Sequence, residues 1–207
     1  MKNSVQKLFA KVKEVGLRNT IVGVFRRCKY KRLQKKYGFY TWHISPYELR
    51  GYAIAVANYV SKNADCNKEI VDMGCGLGEI LRHIKTDSYK LGYDPDPVII
   101  DCAKQLNKDS RCEYEVAGLG DFGKDHDVDY FITLGFMHGA LEETWYEPYH
   151  KIASENNIEH FIVDVCKEGF DGAHALNFAK ILPNNYSLET RLGPFLSGRY
   201  VEIYKKN

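Results

Sequence analysis

Long apolar runs are missing from this sequence of 207 residues. No stretch approaches the roughly 20 apolar residues that a membrane-spanning helix needs. The charged N-terminus also lacks the apolar segment and small-residue cleavage site of a secretory signal. The composition, with 44% hydrophobic and 27% charged residues, is ordinary for a soluble globular domain. We therefore expect a cytoplasmic chain that is long enough to bury a core of its own.

Paired cysteine motifs are missing as well. The six cysteines include no C-x-x-C pair, and they are spread over predicted strands, helices and loops. In a chain without an export signal this scatter predicts free thiols.

We predict no metal site either, because the acidic segment 125–129 is better explained as an exposed loop whose alternate side chains point apart.

Acidic residues are nearly absent from residues 1–37, which contain twelve Lys or Arg residues and a single acid, Glu14. Apolar residues such as Leu8 and Val12 recur there at intervals of three or four, which predicts amphipathic helix. We divide the chain into this basic N-terminal arm and a main domain, 38–207. Three partners stay open for the arm: its own domain or a second subunit, an anionic lipid surface, or nucleic acid.

The segment 69–80, EIVDMGCGLGEI, is the feature around which we expect the main domain to be organised. An apolar run ends in Asp72 and is followed by glycines at positions 74, 76 and 78 and then by apolar Ile80. This order predicts a strand, a tight turn and a helix. Glycine reaches positive φ easily and has no Cβ to keep a ligand away from the backbone, and a helix start offers free N–H groups.

The spacing of these glycines distinguishes two kinds of nucleotide site. A dinucleotide fingerprint would need a glycine at position 79, which is Glu79. A second predicted strand ends in Asp94, 22 residues after Asp72, where βαβ nucleotide sites place the acid that binds the ribose hydroxyls. The G-x-G-x-G loop with these two acids resembles the class I S-adenosylmethionine-dependent methyltransferases.

The alternation of predicted elements agrees with that resemblance. We predict an α/β fold, a doubly wound, Rossmann-like sheet of seven mostly parallel strands that ends in an antiparallel hairpin. The predicted strands are 69–73, 89–93, 112–116, 128–134 and 160–165, with the hairpin at 186–191 and 199–204. The predicted helices are 46–60, 79–85, 97–106, 142–155 and 170–180.

The resemblance implies S-adenosylmethionine as the cofactor and S-adenosylhomocysteine as its product. By resemblance, the cofactor-binding residues are Asp72, Gly74, Cys75, Gly76, Gly78, Asp94, Pro95, Asp121, Phe122, Leu134 and Gly135. The segment before the glycine loop often covers the cofactor and part of the acceptor pocket in this family, so the resemblance implies Tyr40, Trp42, His43 and Arg50 as acceptor-binding residues. The alternative is that the aromatic residues only anchor the following helix to the core. Cys75 is expected to serve as a small side chain in the loop, not as a nucleophile.

His138 is the residue that we predict as the general base. It follows the fourth strand, at the sheet edge where ligands bind in open α/β sheets, and a histidine suits proton removal near neutral pH. His43 is the next candidate. A structural or substrate-contacting role for His138 stays open as the alternative.

The predicted reaction is O-methylation of a small-molecule or saccharide acceptor, which includes an acceptor linked to lipid. Residues 42–50 are similar to small methyltransferases encoded with bacterial surface-polysaccharide genes. The sequence has neither the Pro-Pro-aromatic motif of amino-methylating nucleic-acid enzymes nor the Pro-Cys of cytosine C5 enzymes. An RNA methyltransferase and a non-catalytic binding module with this fold are the alternatives.

Overall fold

The structure, a computed structural model, describes residues 2–166, 174–196 and 198–207, with side chains from residue 6 onward. The first part of the predicted helix 170–180 lies outside the described residues. Within them, no helix is both long and apolar enough to cross a membrane.

A seven-stranded sheet forms the centre of the molecule, in the order β3-β2-β1-β4-β5-β7-β6. Strands β1 to β5 run parallel, while β7 is antiparallel to both β5 and β6. The predicted fold class is confirmed. The strands are β1 Glu69–Met73, β2 Lys90–Asp94, β3 Cys112–Val116, β4 Asp127–Thr133, β5 Asn157–Cys166, β6 Tyr186–Leu192 and β7 Arg199–Lys206.

Helices cover both faces of the sheet, because successive residues of a strand point to opposite faces. The helices are α1 Lys2–Val15, α2 Leu17–Tyr37, α3 Gly51–Asn63, α4 Pro97–Leu106, α5 Glu143–Glu155 and α6 Phe178–Ile181. In β1, Ile70 belongs to the core beneath α2, α3 and α4, whereas Val71 belongs to the core beneath α5 and α6.

Two predicted helices differ from the structure around the glycine loop. The expected helix 79–85 is only a 3-10 turn, Leu81–His83, because Ile84 is already extended and the polar turn at 86–88 follows. The expected helix 46–60 begins later, at Gly51, after two 3-10 turns, and Ser45 does not cap it. Pro97 does begin α4, where the Asp96 side chain accepts a hydrogen bond from the Val98 N–H.

The second N-terminal helix packs on the main domain. The Tyr30 hydroxyl, which is buried, donates to Glu79 Oε1 at 2.7 Å, and Arg26 pairs with Glu48 at 2.9 Å. At Gly23 the helix comes so close that an added Cβ would lie 2.5 Å from Cγ of Leu49. Of the three partners considered for the arm, its own domain therefore binds one face of α2.

Candidate active site

A cavity of about 510 Å³ opens at the carboxyl ends of β1, β2 and β4. The strand order reverses at β1, because β2 and β3 lie on one side of it and β4 and β5 on the other. Doubly wound sheets bind their ligands at this point of reversal. The residues that line the cavity are Tyr40, Trp42, His43, Ser45, Arg50, Tyr52, Met73, Gly74, Cys75, Gly76, Leu77, Glu79, Asp94, Pro95, Asp96, Gly118, Leu119, Leu134, Gly135, Phe136 and Arg199.

The glycine loop forms one wall of this cavity. Gly74 and Gly76 have φ values of 76° and 55°, which residues with side chains rarely adopt. A Cβ at Gly74 would lie 2.7 Å from the ring of Phe136, and one at Gly76 would lie 2.9 Å from Nδ1 of His43. Both positions therefore need glycine for backbone conformation and for close approach.

Asp94 holds the loop from the end of β2. Its Oδ2 accepts from the Gly76 N–H at 3.0 Å, and its Oδ1 accepts from the Asp96 N–H at 3.1 Å. Burial raises the pKa of Asp94, while the two N–H donors and the nearby His43 oppose that rise. The carboxylate thus faces the cavity in a fixed orientation, 22 residues after Asp72 as the sequence indicated.

Asp72 lies buried at the end of β1, beneath the same loop. Burial raises the pKa of this carboxyl to about 7; Arg50 opposes the rise and Asp94 adds to it. Among the described residues, Oδ2 of Asp72 has no hydrogen-bond partner. A buried carboxylate oxygen without a partner is costly, so this atom suits a cationic or hydrogen-bonding group of a ligand.

Four residues predicted to bind the cofactor do not line the cavity, and the first of them is Asp72, which lies beneath the glycine loop. Gly78 does not line the cavity; it makes room for Tyr114, whose ring would lie 2.3 Å from a Cβ there. Asp121 is exposed, and its carboxylate accepts from the Gly118 N–H at 3.0 Å. Phe122 is buried in the core. The cavity wall after β3 consists of Gly118 and Leu119 instead.

All four residues predicted to bind the acceptor line the cavity. Tyr40 and Trp42 stack at 4.4 Å and are both largely exposed, which leaves an aromatic platform at the rim. His43 lies instead on the side of Gly76 and Asp94, and burial lowers its pKa against the raising influence of Asp94. Arg50 pairs with Glu79, another residue of the lining, at 2.9 Å.

Arg199 was missed in the sequence, although it lines the cavity from the start of β7. Its guanidinium lies 4.8 Å from the ring centroid of Tyr52, a second missed residue of the lining. Phe136 is a third lining residue that the sequence did not predict, and its ring packs over Gly74. The only sequence signal for Arg199 was its place in the predicted hairpin.

His138 does not line the cavity, but it contacts the ion pair that includes Arg199. The Arg199 guanidinium donates to Oδ2 of Asp164, and Oδ1 of Asp164 accepts from the Gly135 N–H at 3.0 Å. Nε2 of His138 lies 3.2 Å from the same Oδ1, and Nδ1 lies 3.3 Å from the carbonyl oxygen of His174. Nε2 thus lies within ion-pair distance of the carboxylate but makes no hydrogen bond to a described residue.

Asp164 is the centre of this cluster. Burial alone would raise its pKa, but the neighbouring His138 and the charge of Arg199 lower the pKa below its ordinary value. The ligand atoms of His138, Asp164 and Cys166 also lie within 4.8 Å of one another. Since Arg199 already neutralises the carboxylate, we interpret this group as an ion-pair cluster and not as a metal centre.

No protein-family model matches this sequence, and no curated protein is similar to it. Solved structures are similar. Magnesium protoporphyrin IX methyltransferase (ChlM) from Synechocystis PCC 6803, with bound SAM, has a TM-score of 0.67 and 16% identity, over 91% of this chain and 97% of that chain. Mitomycin 7-O-methyltransferase MmcR has a TM-score of 0.61 and 14% identity, over 80% and 56%. The small RNA methyltransferase HEN1 has a TM-score of 0.60 and 17% identity, over 81% and 26%.

These proteins are named for three different acceptors, so the likeness does not select one. At such identities the common feature is the architecture: parallel strands β1 to β5 and the antiparallel pair β6 and β7. The chain has the fold of the class I S-adenosylmethionine-dependent methyltransferases.

Proposed function

We propose that the protein is an S-adenosylmethionine-dependent methyltransferase. The observation that carries this proposal is the pair of buried carboxylates at the glycine loop: Asp94, which lines the cavity and is fixed by two N–H donors, and Asp72, which lies beneath the loop and has an oxygen without a partner among the described residues. The cofactor carries an ammonium and a ribose diol, which fit these two carboxylates. When bound, it supplies a methyl group activated by a sulfonium.

The proposed contacts divide the cavity into two halves. Asp72 binds the ammonium, the backbone of Gly74, Cys75 and Gly76 packs against the nucleoside, and Asp94 binds the ribose hydroxyls. Pro95 and Leu119 face the adenine, and Leu134 and Gly135 lie beside the methionine chain. We assign His43 to the nucleoside half, because it lies next to Gly76 and Asp94.

The other half of the cavity is our proposed acceptor site. Tyr40 and Trp42 form its aromatic rim, while Tyr52, Arg50 and Arg199 provide hydrogen-bond donors and charge at its base. Aromatic faces with polar groups beside them suit a hydroxylated acceptor such as a saccharide. We therefore propose O-methylation of a small-molecule or saccharide acceptor, in which the residues align the acceptor and exclude water.

The proposal is tested by titrating the purified protein with S-adenosylhomocysteine in a calorimeter and then assaying transfer of labelled methyl groups. The acceptor panel contains free saccharides, lipid-linked saccharides, other small hydroxylated compounds and RNA. Binding with transfer to a hydroxyl is the expected result. Absence of binding overturns the proposal. Binding without transfer to any acceptor would instead favour a non-catalytic module.

RNA methylation is the second candidate, and the basic residues of α1 and α2 favour it. If these basic residues bind the RNA phosphates, the affinity for RNA should fall steeply as the salt concentration rises. Transfer of label to RNA, with a steep salt dependence, would replace the saccharide proposal and keep the methyltransferase proposal.

Cofactor affinity is expected to depend on pH through Asp72. Burial disfavours the ionised form of Asp72 and so raises its pKa from 3.8 to about 7 in the ligand-free folded protein. The contribution of this group to the free energy of unfolding therefore falls as pH rises from 3.8 to about 7. A bound ammonium favours the ionised form. S-Adenosylhomocysteine should therefore bind more tightly above about pH 7 than below it, and calorimetry across this range measures the change. The Asp72→Asn variant should bind weakly without this pH dependence; an unchanged dependence would contradict the assignment.

A further inference from the structure

Exposed apolar side chains lie on both N-terminal helices, and on α2 they form a stripe. On α2, Leu17, Ile21, Val24 and Phe25 recur at helical spacing and are all exposed. The opposite side of α2 is the one that packs on the domain, through Gly23 and Tyr30. On α1, Leu8 and Phe9 are also exposed. Phe9 and Phe25 are 71% and 73% exposed, which is unusual for aromatic side chains of a folded chain.

Positive charge surrounds this stripe. The arm has twelve Lys or Arg residues against one acid, and that acid, Glu14, faces inward, where it pairs with Lys11 at 2.6 Å and accepts from the Leu196 N–H at 2.7 Å. Arg26 pairs with Glu48. Among the described side chains of the arm, the remaining cations make no ion pair. The exposed cations at the C-terminal end of α2 are Arg27, Lys29, Lys31, Arg32, Lys35 and Lys36.

We propose that this face of α1 and α2, the lipid face, binds the surface of an anionic lipid bilayer. Exposed aromatic and aliphatic side chains enter the boundary between headgroups and acyl chains, while the surrounding cations contact anionic headgroups. A second copy of the chain is a poorer occupant, since two faces with this excess of positive charge repel each other. RNA would use the cations but would leave the stripe of Leu17, Ile21, Val24 and Phe25 in water.

Helix α1 lies next to the proposed acceptor site, so lipid binding by α1 would also affect that site. A smaller cavity of about 270 Å³ is lined by Lys11 and Glu14 of α1 and by Trp42, Arg50 and Tyr52, which also line the larger cavity. Binding to lipid would bring the acceptor half of the site close to the bilayer. A lipid-linked acceptor is the matching substrate class, a step that rests on the proposed function.

Vesicle sedimentation of the full-length protein tests the lipid face. Vesicles that contain phosphatidylglycerol should bind the protein, and vesicles of phosphatidylcholine alone should bind it at least about tenfold less. The double variant Phe9→Ser, Phe25→Ser should lower binding to the anionic vesicles by about tenfold or more. The matched control is Leu141→Ser, Leu188→Ser, which removes exposed apolar side chains outside the arm and should bind as the wild type does.

Three results would overturn the proposal: recovery of the wild type in the supernatant with both kinds of vesicle, equal loss of binding in the control variant, or a dimer in light scattering that the Phe9→Ser, Phe25→Ser variant abolishes. Titration of the same variants with S-adenosylhomocysteine keeps the two proposals separate. Its binding should be unchanged in both variants, and failure of the wild type to bind it would affect only the proposed function.

Discussion

The Asp94→Ala variant is expected to bind S-adenosylhomocysteine about a hundredfold more weakly than the wild type, or worse. The carboxylate would make two charge-assisted hydrogen bonds to the ribose, each contributing about 1.5–3 kcal/mol, and about 1.4 kcal/mol corresponds to a tenfold change in affinity. The substitution also removes the acceptor of the Gly76 and Asp96 N–H groups, which loosens the glycine loop. Isothermal titration calorimetry measures the loss directly.

Two further variants separate these effects. Asp94→Asn keeps an oxygen for the backbone donors but removes the charge, so its affinity should lie between those of the wild type and of Asp94→Ala. Asp101→Ala removes an exposed carboxylate on the next helix, α4, and should bind as the wild type does. Wild-type affinity in Asp94→Ala would show that the cavity is not a nucleoside site.

The His138→Ala variant is expected to lower turnover by about a hundredfold while cofactor affinity stays within a few-fold of the wild type. The substitution removes the contact of His138 with Asp164, the ion-pair partner of Arg199, and so loosens the Arg199 side chain that lines the cavity. The geometry favours His138 as a positioning residue for Arg199, since it contacts Asp164 but does not line the cavity. Its role as the base stays an untested prediction.

The pH profile of turnover distinguishes the two roles of His138. A base must be neutral to act, so its removal would abolish the acidic limb of the profile. A positioning residue would leave that limb in place and raise KM for the acceptor as Arg199 becomes mobile. The control is His150→Ala, an exposed histidine on α5 that should change neither quantity. Unchanged turnover in His138→Ala would remove both roles.

The meeting of the glycine loop with Asp94 could be predicted because its information is local. Asp72 and Asp94 lie at the ends of two strands that the sequence marks by apolar runs, and the parallel sheet brings those ends together. Gly78 shows the limit of this reasoning. Its spacing matches the motif, but the reason for glycine there is the ring of Tyr114, from β3, which no local pattern indicates.

The rest of the cavity could be predicted only in part, because it combines distant segments. Arg199 reaches the cavity through an antiparallel strand whose register depends on its pairing with β5. Asp121 was expected in the cavity, but the 3-10 turn Leu119–Asp121 places it outside and Leu119 inside. Short 3-10 turns have no apolar period long enough to read, so the directions of their side chains are not apparent from the sequence.

The Glu79 carboxylate links helix α2 to the lining of the cavity. One carboxylate oxygen accepts from Tyr30 of α2, and the other pairs with Arg50 at the base of the cavity. A chain shortened to start after Tyr37 would leave a buried acid with half of its partners and would expose the surface of the core that α2 covers. Helix α2 thus supports the cavity from outside through Glu79, and its removal would also deprive Arg50 of a fixed partner.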